Sequence, residues 1–422
     1  MQTVGINVAD IGRRIHSVEQ SNAPRKWKRI ELFLKVAEVC NIECTYCYFF
    51  FGGDESFESH PAYISQKTIK DVAEFLARTA RMSGVEEVQI DFHGGEPLML
   101  KKQRFDEMCK TLKEHLDFVD LTLSVQTNAM LIDDDWVALL GKHDVSIGVS
   151  LDGPRDYNDE YRIDHKKRGT YDRTLAGIRK LQEGHRDGRM RKSFGIICVA
   201  DSSRSAKATL DHFVDDLGIK DIVFAMPMVS HETMDAESVQ AFSKYMCDLT
   251  DAWTNRNDPA VKIGFIDQML ALLIRGRKEL ESADEMRGDR TLFTISSSGE
   301  LGGQDDERVA SYAFGTGVHA TGEIGLSDFY ATPPLRKYLT ARQELGRECK
   351  SCCWMNVCRG GEAISGNLQR YSATKGFANV SVYCSAIQAV LVKLTDYAIA
   401  KGVPFETISE VLIDDEHISE SV

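Results

Sequence analysis

The sequence lacks two features that would direct it to a membrane or out of the cell. No apolar run in its 422 residues reaches the length of a transmembrane helix. Residues 1–28 are polar and lack the apolar core of a signal peptide. The chain nevertheless has 11 cysteines, and in a reducing compartment such thiols bind metals more often than they form disulfides. We therefore expect a cytoplasmic, metal-binding protein with no membrane partner.

The chain also lacks an excess of basic residues. Its 51 Lys and Arg against 64 Asp and Glu give a net charge of −13, which argues against nucleic acid as the main partner, because phosphate binding needs a basic face. No low-complexity tract or repeat is evident. A hydrophobic content of 43% with 27% charged residues is typical of a globular protein, and the length suffices for two or three domains.

Apolar strand patterns alternate with amphipathic helical patterns through the first half of the chain. The predicted strands are 30–36, 87–92, 121–125, 145–150, 194–199 and 221–225. The predicted helices are 65–82, 101–116, 133–142, 171–184, 205–217 and 236–254. Six successive strand–helix units predict an α/β fold with a parallel sheet, because parallel neighbours need crossover connections.

Polar or glycine-rich loops follow these strands. The first strand leads into CNIECTYC (40–47), the second into HGGEP (93–97), the third into QTN (126–128) and the fourth into SLDG (150–153). In a parallel sheet the ligand site lies beyond the C-terminal ends of the strands. We therefore expect these loops to converge on one pocket.

The first loop carries three closely spaced thiols, Cys40, Cys44 and Cys47. Three thiolates hold three irons of a 4Fe–4S cube and leave the fourth iron open to an outside molecule. A structural zinc site would need a fourth Cys or His nearby, and the next histidine is His60. The spacing therefore favours an iron–sulfur cluster with one open coordination site.

A second group of thiols lies near the C-terminus, at Cys349, Cys352, Cys358 and Cys384. Four thiolates are the ligand set of both a zinc ribbon and a 4Fe–4S cluster, and spacing alone does not separate the two. In a chain that already has one predicted cluster, we favour a second cluster.

The four strand-end motifs, in this order, resemble the catalytic domain of the radical S-adenosylmethionine (SAM) superfamily over residues 29–230. The resemblance implies a partial (β/α)6 TIM barrel with SAM bound at the open iron. It places Tyr46 beside the adenine; Gly94, Gly95 and Glu96 at the methionyl amine; and Thr127, Asn128 and Ser150 on the ribose side. It also offers Arg162, with Arg168 as a rival, to the SAM carboxylate.

The C-terminal thiols, with Arg-Gly-Gly at 359–361 and Tyr383-Cys384, resemble the SPASM extension of peptide-modifying radical SAM enzymes. A full SPASM domain holds two auxiliary clusters, but no cysteine lies between Cys247 and Cys349 here, and Glu362 stands four positions after Cys358. We therefore expect one auxiliary cluster. Asp305, Asp306 and Glu362 are the candidate catalytic proton acceptors.

These resemblances divide the chain into an N-terminal extension (1–28), the barrel (29–230), a helical connector (231–290), a smaller SPASM-like domain (291–395) and a C-terminal helix and tail (396–422). Within the SPASM group the chain looks most like the cyclophane-forming peptide maturases, which join an aromatic ring to a β-carbon of a ribosomally made precursor peptide. The alternatives are a thioether-forming maturase, an anaerobic sulfatase-maturing enzyme and, more remotely, an iron–sulfur electron carrier. The expected partners are the precursor peptide and an electron donor such as flavodoxin or ferredoxin.

Overall fold

A computed structural model describes residues 27–275, 290–304, 316–321, 325–361 and 367–412. One sheet runs through this part of the chain. Its strands are β1 (Arg29–Ala37), β2 (Glu87–Gly94), β3 (Asp120–Thr127), β4 (Ser146–Ser150), β5 (Phe194–Val199), β6 (Asp221–Ala225), β7 (Lys262–Ile263), β8 (Arg290–Ile295) and β9 (Leu301–Gly302). They lie in the order β7-β6-β5-β4-β3-β2-β1-β8-β9, and every neighbouring pair is parallel except β8 and β9.

Helices connect the strands and complete the C-terminal region. In the first part they are α1 (Tyr48–Phe51), α2 (Gln66–Ser83), α3 (Lys102–His115), α4 (Asp134–His143), α5 (Arg155–Tyr161), α6 (Tyr171–Arg186), α7 (Ala206–Asp211), α8 (Ala236–Arg256) and α9 (Gly264–Arg275). Further on they are α10 (Leu326–Tyr330), α11 (Pro333–Ala341), α12 (Arg347–Lys350), α13 (Met355–Cys358), α14 (Cys384–Ala400) and α15 (Phe405–Leu412).

Local capping defines where the long crossover helices begin and end. The Ser65 side chain accepts a hydrogen bond from the Thr68 amide at the start of α2, and Gly84 ends that helix with a φ of 69°. Asp133 caps α4 through the Trp136 amide at 2.9 Å. These bonds satisfy amides that have no partner inside the helix, so the crossovers return to the sheet at defined points.

The two faces of the sheet differ in chemistry. Leu34 of β1 lies beside Phe92 of β2, and Phe92 packs edge-on against Phe105 of α3, so this face is covered by helices. The alternate residues face the other way, and they include Glu31 and Asp91. Side chains alternate along a strand, and a polar inner face is therefore built into the same strands that supply the core.

The predicted mostly parallel α/β sheet is confirmed, and all six predicted strands are present within one or two residues. One strand was not anticipated: β7 lies inside the predicted helical connector. The pairing of β8, from the C-terminal region, with β1 was not anticipated either. Short apolar strand patterns around 292–295 in a Gly- and Ser-rich stretch favour a two-stranded hairpin, and β8 and β9 form one, with its turn between Ile295 and Leu301. The Gly-Gly-Gln-Asp-Asp sequence at 302–306 also favours a turn, but Asp305 and Asp306 lie outside the described residues. The proposed domain boundaries stay predictions.

No helix within the described ranges is long and apolar enough to cross a bilayer.

Candidate functional site

The first thiol loop leaves β1 and is held by backbone pairing to the segment that follows α5. The Glu43 and Thr45 amides donate to the carbonyls of Ile163 and Tyr161 at 2.7 and 3.0 Å. Cys44 is buried, and Cys40 and Cys47 are partly exposed. Burial raises the pKa of Cys40 to about 12, and the nearby charges of Glu96, Cys44 and Cys47 act in the same direction. The three sulfurs therefore share one environment.

Two glycines allow the chain after β2 to lie against this loop. A Cβ on Gly94, whose φ is +120°, would sit 2.0 Å from the carbonyl oxygen of Ala37, and one on Gly95 would sit 2.2 Å from that of Val39. The Gly95 amide donates to Ala37 O at 2.7 Å. Only glycine permits this approach. In the structure, Gly94 and Gly95 therefore lie against the backbone of residues 37–39, which leads into Cys40.

The buried carboxylate of Glu96 accepts several hydrogen bonds at the end of β3. Its carboxylate accepts hydrogen bonds from the Leu98 amide (3.0 Å), the Thr127 hydroxyl (2.7 Å) and the Asn128 amide (2.8 Å). Burial raises the pKa of Glu96, and these bonds oppose the rise. The carboxylate therefore braces the third strand end, and its role at a methionyl amine stays a prediction.

The expected ribose-side residues lie at neighbouring strand ends. The Asn128 side chain donates to Asn41 Oδ1 at 2.7 Å, beside Cys40. Ser150 accepts from Gln126 at 2.6 Å. Thr127 and Asn128 are buried, and Ser150 is half-buried. The structure therefore brings the third and fourth motifs next to the thiol loop.

Arg162 lies in a buried polar group with Tyr46 and Asp152. Its Nη1 donates to the Tyr46 hydroxyl at 2.8 Å, and that hydroxyl donates to Asp152. Burial lowers the pKa of Arg162, but the charges of Cys44, Tyr46 and Asp152 outweigh burial and hold it well above the usual value. Burial likewise raises the pKa of Cys44, and Arg162 opposes that rise. This arginine therefore favours a thiolate at Cys44.

The rival arginine is placed differently. Arg168 is 64% exposed and pairs with Asp164, with its Nη2 at 2.7 Å from Oδ2. An exposed ion pair of this kind contributes little energy. Arg162 is the arginine that lies among the thiol loop and the strand ends.

A cavity of about 280 Å3 adjoins this polar group, beyond the ends of β4, β5 and β6. Its lining includes Tyr46, Asp152 and Cys198 from the strand ends, Phe242 of α8, and Tyr383. Burial raises the pKa of Cys198 well above its usual value, so this thiol lines the cavity in its neutral form.

The inner face of the sheet carries a buried lysine that was not predicted as a site residue. Lys35 is fully buried, and its Nζ lies 3.2 Å from Nδ1 of His93. The ammonium also lies 5.3 Å from the centre of the Phe49 ring, two residues after Cys47. A lysine inside the apolar run of β1 was the available signal, because charged side chains are rarely buried without a partner.

The C-terminal thiols also meet at one place. Cys349, Cys352, Cys358 and Cys384 all line a second cavity of about 50 Å3. Burial raises the pKa of Cys358 to about 12, and the charges of Cys384, Cys349 and Cys352 add to the rise. Protonated thiols at close quarters become ligands once a metal compensates their charge.

The backbone around this cavity bends sharply. Arg359, Gly360 and Gly361 have φ values of 52°, 72° and 99°, and a Cβ on Gly361 would sit 2.8 Å from that of Ser381. Buried Arg370 ties the surrounding loops together. It donates to the carbonyls of Glu344, Phe377 and Arg342 at 2.5, 3.1 and 2.5 Å. This arginine was also not predicted.

Two consecutive residues of the chain line the two different cavities. Tyr383 lines the larger cavity, and Cys384 lines the thiol cavity. The Tyr383 hydroxyl donates to the carbonyl of Pro227, in the loop after β6, at 2.9 Å. Tyr46 of the first thiol loop lines the larger cavity as well, so this cavity adjoins residues that neighbour both thiol groups in the chain.

The structure does not describe every candidate residue that the sequence offers. Asp305, Asp306 and Glu362, the candidate proton acceptors, lie outside the described residues. Cys353 is exposed and does not line the thiol cavity, and Cys109 is buried in the core. Across the described ranges, no group of three or more His, Cys, Asp or Glu side chains converges closely enough to hold a single metal ion. The thiolates of a 4Fe–4S cube bind separate irons and need no such convergence.

Comparison with known proteins identifies the first part of the chain. Residues 34–201, which include the thiol loop and the first four strand ends, match the Radical SAM superfamily. The protein is a radical SAM enzyme. Its cofactors are accordingly SAM and a 4Fe–4S cluster, and the residues present fit them: three neighbouring thiols, one countered by a buried arginine, supply the donor set for such a cube.

The radical SAM enzyme has relatives along most of its length. It is 23% identical over 345 residues to a cysteine-type anaerobic sulfatase-maturating enzyme of Clostridium perfringens, covering 79% of this chain and 88% of the relative. The structure of native anSMEcpe with bound AdoMet and Kp18Cys peptide is similar, with a TM-score of 0.70 and 19% identity, covering 88% of this chain and 98% of that one.

A second solved structure shares the fold. Streptococcus suis SuiB bound to precursor peptide SuiA matches with a TM-score of 0.54 and 18% identity, covering 90% of this chain and 82% of that one. Both likenesses show that the fold of this radical SAM enzyme extends beyond the barrel into the C-terminal region.

Proposed function

We propose that this radical SAM enzyme modifies a ribosomally made peptide by joining an aromatic ring to the β-carbon of a nearby residue. The observation that carries the proposal is the cavity that is lined both by Tyr46, from the first thiol loop, and by Tyr383, which precedes Cys384 of the second thiol group. A peptide side chain in this cavity would lie between the site of radical formation and an electron acceptor. The peptides bound to the two solved relatives support this class of substrate.

Each residue of the first site has a part in this proposal. Cys40, Cys44 and Cys47 hold the cluster, and Arg162 pairs with the SAM carboxylate through a guanidinium suited to bidentate contact. When bound, the cluster and SAM supply a carbon radical that removes hydrogen from an unactivated carbon. Burial of Arg162, Asp152 and Glu96 keeps water away from this point.

The second thiol site would accept the electron that the substrate radical loses when the crosslink forms. Crosslinking removes two hydrogens from the peptide, one as an atom and the other as an electron and a proton. A 4Fe–4S cluster held by Cys349, Cys352, Cys358 and Cys384 would supply the electron acceptor. The candidate proton acceptors Asp305, Asp306 and Glu362 belong to this step.

The curated relative favours a second candidate function. A cysteine-type anaerobic sulfatase-maturating enzyme covers most of this chain, and an enzyme of that kind would oxidise a Cys or Ser side chain to an aldehyde. We expect such an enzyme to keep two auxiliary clusters. The absence of cysteine between Cys247 and Cys349 therefore supports the crosslinking reaction.

Mass spectrometry separates the two functions. Anaerobically reconstituted enzyme is incubated with SAM, dithionite and a synthetic aromatic-rich peptide encoded beside its gene. Crosslinking predicts a loss of two hydrogens, resistance to a hydrazide reagent and missing fragment ions between the joined residues. A hydrazide-reactive product would establish the aldehyde and overturn the crosslink, whereas release of no 5′-deoxyadenosine would overturn both.

Iron counting tests the number of clusters. Two 4Fe–4S clusters require about eight irons per chain, and a third would bring the total to about twelve. Zinc in place of iron at the second site would contradict the proposed electron acceptor, because zinc has no redox chemistry.

A further inference from the structure

An exposed basic loop lies directly against the first thiol loop. It comprises His165, Lys166, Lys167 and Arg168, all exposed, between α5 and α6. Its position is fixed, because the amides of Lys166 and Arg168 donate to Asp164 Oδ1 at 2.9 and 3.0 Å. Asp164 in turn pairs through its backbone with Ile42. The basic loop is therefore a defined surface attached to the cysteine segment.

One contact reaches a predicted cluster ligand. The ring nitrogen Nε2 of His165 lies 3.0 Å from the carbonyl oxygen of Cys40. His165 is 60% exposed at its side chain, so solvent and the backbone of a cluster cysteine are separated by a single imidazole. The basic loop marks a short route from the protein surface to the first thiol group.

The loop is positive even after its ion pairs are counted. Lys167 pairs with Glu43 at 3.0 Å, and Arg168 and Arg173 share Asp164. Lys166 makes no ion pair with any described residue. Lys166, Lys167 and Arg168, together with Arg173 of α6, are four cations that face the two carboxylates of Glu43 and Asp164. These six groups leave an excess of two positive charges, on a chain whose net charge is −13. The surface beside the cluster thus has the opposite sign to the protein as a whole.

We propose that this basic loop is the docking surface for an acidic one-electron carrier protein that reduces the first cluster. The proposal rests on the proposed function, because it requires a cluster at Cys40, Cys44 and Cys47. The carrier loses one electron and the cluster gains it, and no bond forms or breaks in this step. The overall negative charge of the enzyme repels an acidic carrier elsewhere, so the loop orients the encounter.

The test compares two matched double variants of the full-length, reconstituted enzyme. Lys166→Glu/Lys167→Glu reverses two charges of the basic loop. Arg186→Glu/Arg191→Glu makes the same change at the exposed end of α6 and the loop before β5, on the edge of the sheet opposite the strand ends. Lys166→Glu alone is the gentler variant, because it breaks no ion pair of the described residues.

A purified flavodoxin of strongly negative charge is the probe. We expect its association rate with Lys166→Glu/Lys167→Glu to fall about tenfold or more at low ionic strength, and the difference to shrink at high salt. Arg186→Glu/Arg191→Glu should bind like the wild type. SAM cleavage driven by dithionite should be equal in all three proteins, since dithionite needs no docking surface.

Other results would overturn the proposal. Equal flavodoxin binding and equal flavodoxin-driven SAM cleavage in all variants would exclude the basic loop as the docking surface. Slower peptide modification with dithionite in Lys166→Glu/Lys167→Glu, with flavodoxin binding unchanged, would assign the loop to the peptide instead. If wild-type enzyme with dithionite cleaves no SAM, the proposed function fails and the docking proposal fails with it.

Discussion

The two thiol regions of this radical SAM enzyme are built in different ways. The first follows β1 of a parallel sheet, and its loop is held by main-chain bonds to Ile163, Tyr161 and the glycines after β2. The second lies among four-residue helices, α12 and α13, and depends on one buried side chain, Arg370, that gathers three loop carbonyls. The first site thus inherits its geometry from strand ends, and the second from individual polar contacts.

This difference predicts different responses to damage. Backbone pairing within a large sheet tolerates the loss of single side chains, whereas a loop cluster tied by one arginine does not. The following predictions test that contrast, starting with the largest expected effect.

Loss of one thiol from the first region should abolish SAM cleavage. Cys40→Ala, Cys44→Ala and Cys47→Ala each remove a ligand from a cube that has only three protein ligands. We expect 5′-deoxyadenosine release to fall below detection, measured by chromatography after dithionite reduction. The control is Cys109→Ala, since Cys109 is buried in α3 away from both cavities. Cleavage that persists in all three variants would contradict the cluster assignment.

Loss of a thiol from the second region should uncouple the reaction instead. Cys384→Ala leaves the first site intact, so we expect 5′-deoxyadenosine release without modified peptide and about four irons per chain instead of about eight. The matched control is Cys353→Ala, because Cys353 is exposed beside the thiol cavity without lining it. Normal peptide product from Cys384→Ala would remove the second site from the mechanism.

Removing the central arginine should destabilise the second region selectively. Arg370→Met leaves several buried carbonyl oxygens without donors, at about 1–3 kcal/mol each, and we expect a total loss of about 3–5 kcal/mol. Thermal unfolding and iron content measure the effect. Arg168→Met is the control, because its exposed ion pair contributes about 0–1 kcal/mol. A second site that keeps its iron and its melting temperature would contradict the dependence on Arg370.

The smallest effect concerns His60, which links the chain before the first thiol loop to the turn between β8 and β9. His60 lies 3.3 Å from Glu38, near the first thiol loop, and 3.7 Å from Glu300, after β8. Burial lowers the pKa of His60, but the hydrogen bonds to Glu300 and Glu38 outweigh burial and raise the pKa from 6.5 to about 9. The protonated imidazole of His60 therefore stabilises the folded state fully below pH 6.5, and this contribution is lost as the pH rises through 9.

A shift of this size corresponds to at most about 3 kcal/mol. We expect the melting temperature of the wild type to exceed that of His60→Gln at pH 6.5 and the two to converge above pH 9. A difference that stays constant with pH would show that His60 contributes through packing and not through its charge.

Much of the site follows from local sequence patterns. Cys40, Cys44 and Cys47 are recognisable from their spacing, and the six strand–helix units follow from apolar periodicity, which reports which face of each element is buried. The parallel sheet follows in turn, because such units pair only through crossovers. The grouping of the four C-terminal thiols was also predicted, and the structure places all four around one cavity.

Tertiary structure decided the features that depend on residues far apart in the chain. Only the fold distinguishes buried Arg162 from exposed Arg168, because both follow α5 in similar sequence. Only the fold assigns the Glu96 carboxylate to the strand end at Asn128 and places β8 beside β1. A sequence pattern records the burial of each residue, but which partner it meets across the sheet depends on how the elements pack. The sequence by itself therefore determined the elements and the thiols of this protein, and packing decided that Tyr46 and Tyr383, which neighbour the two thiol groups in the chain, line one cavity.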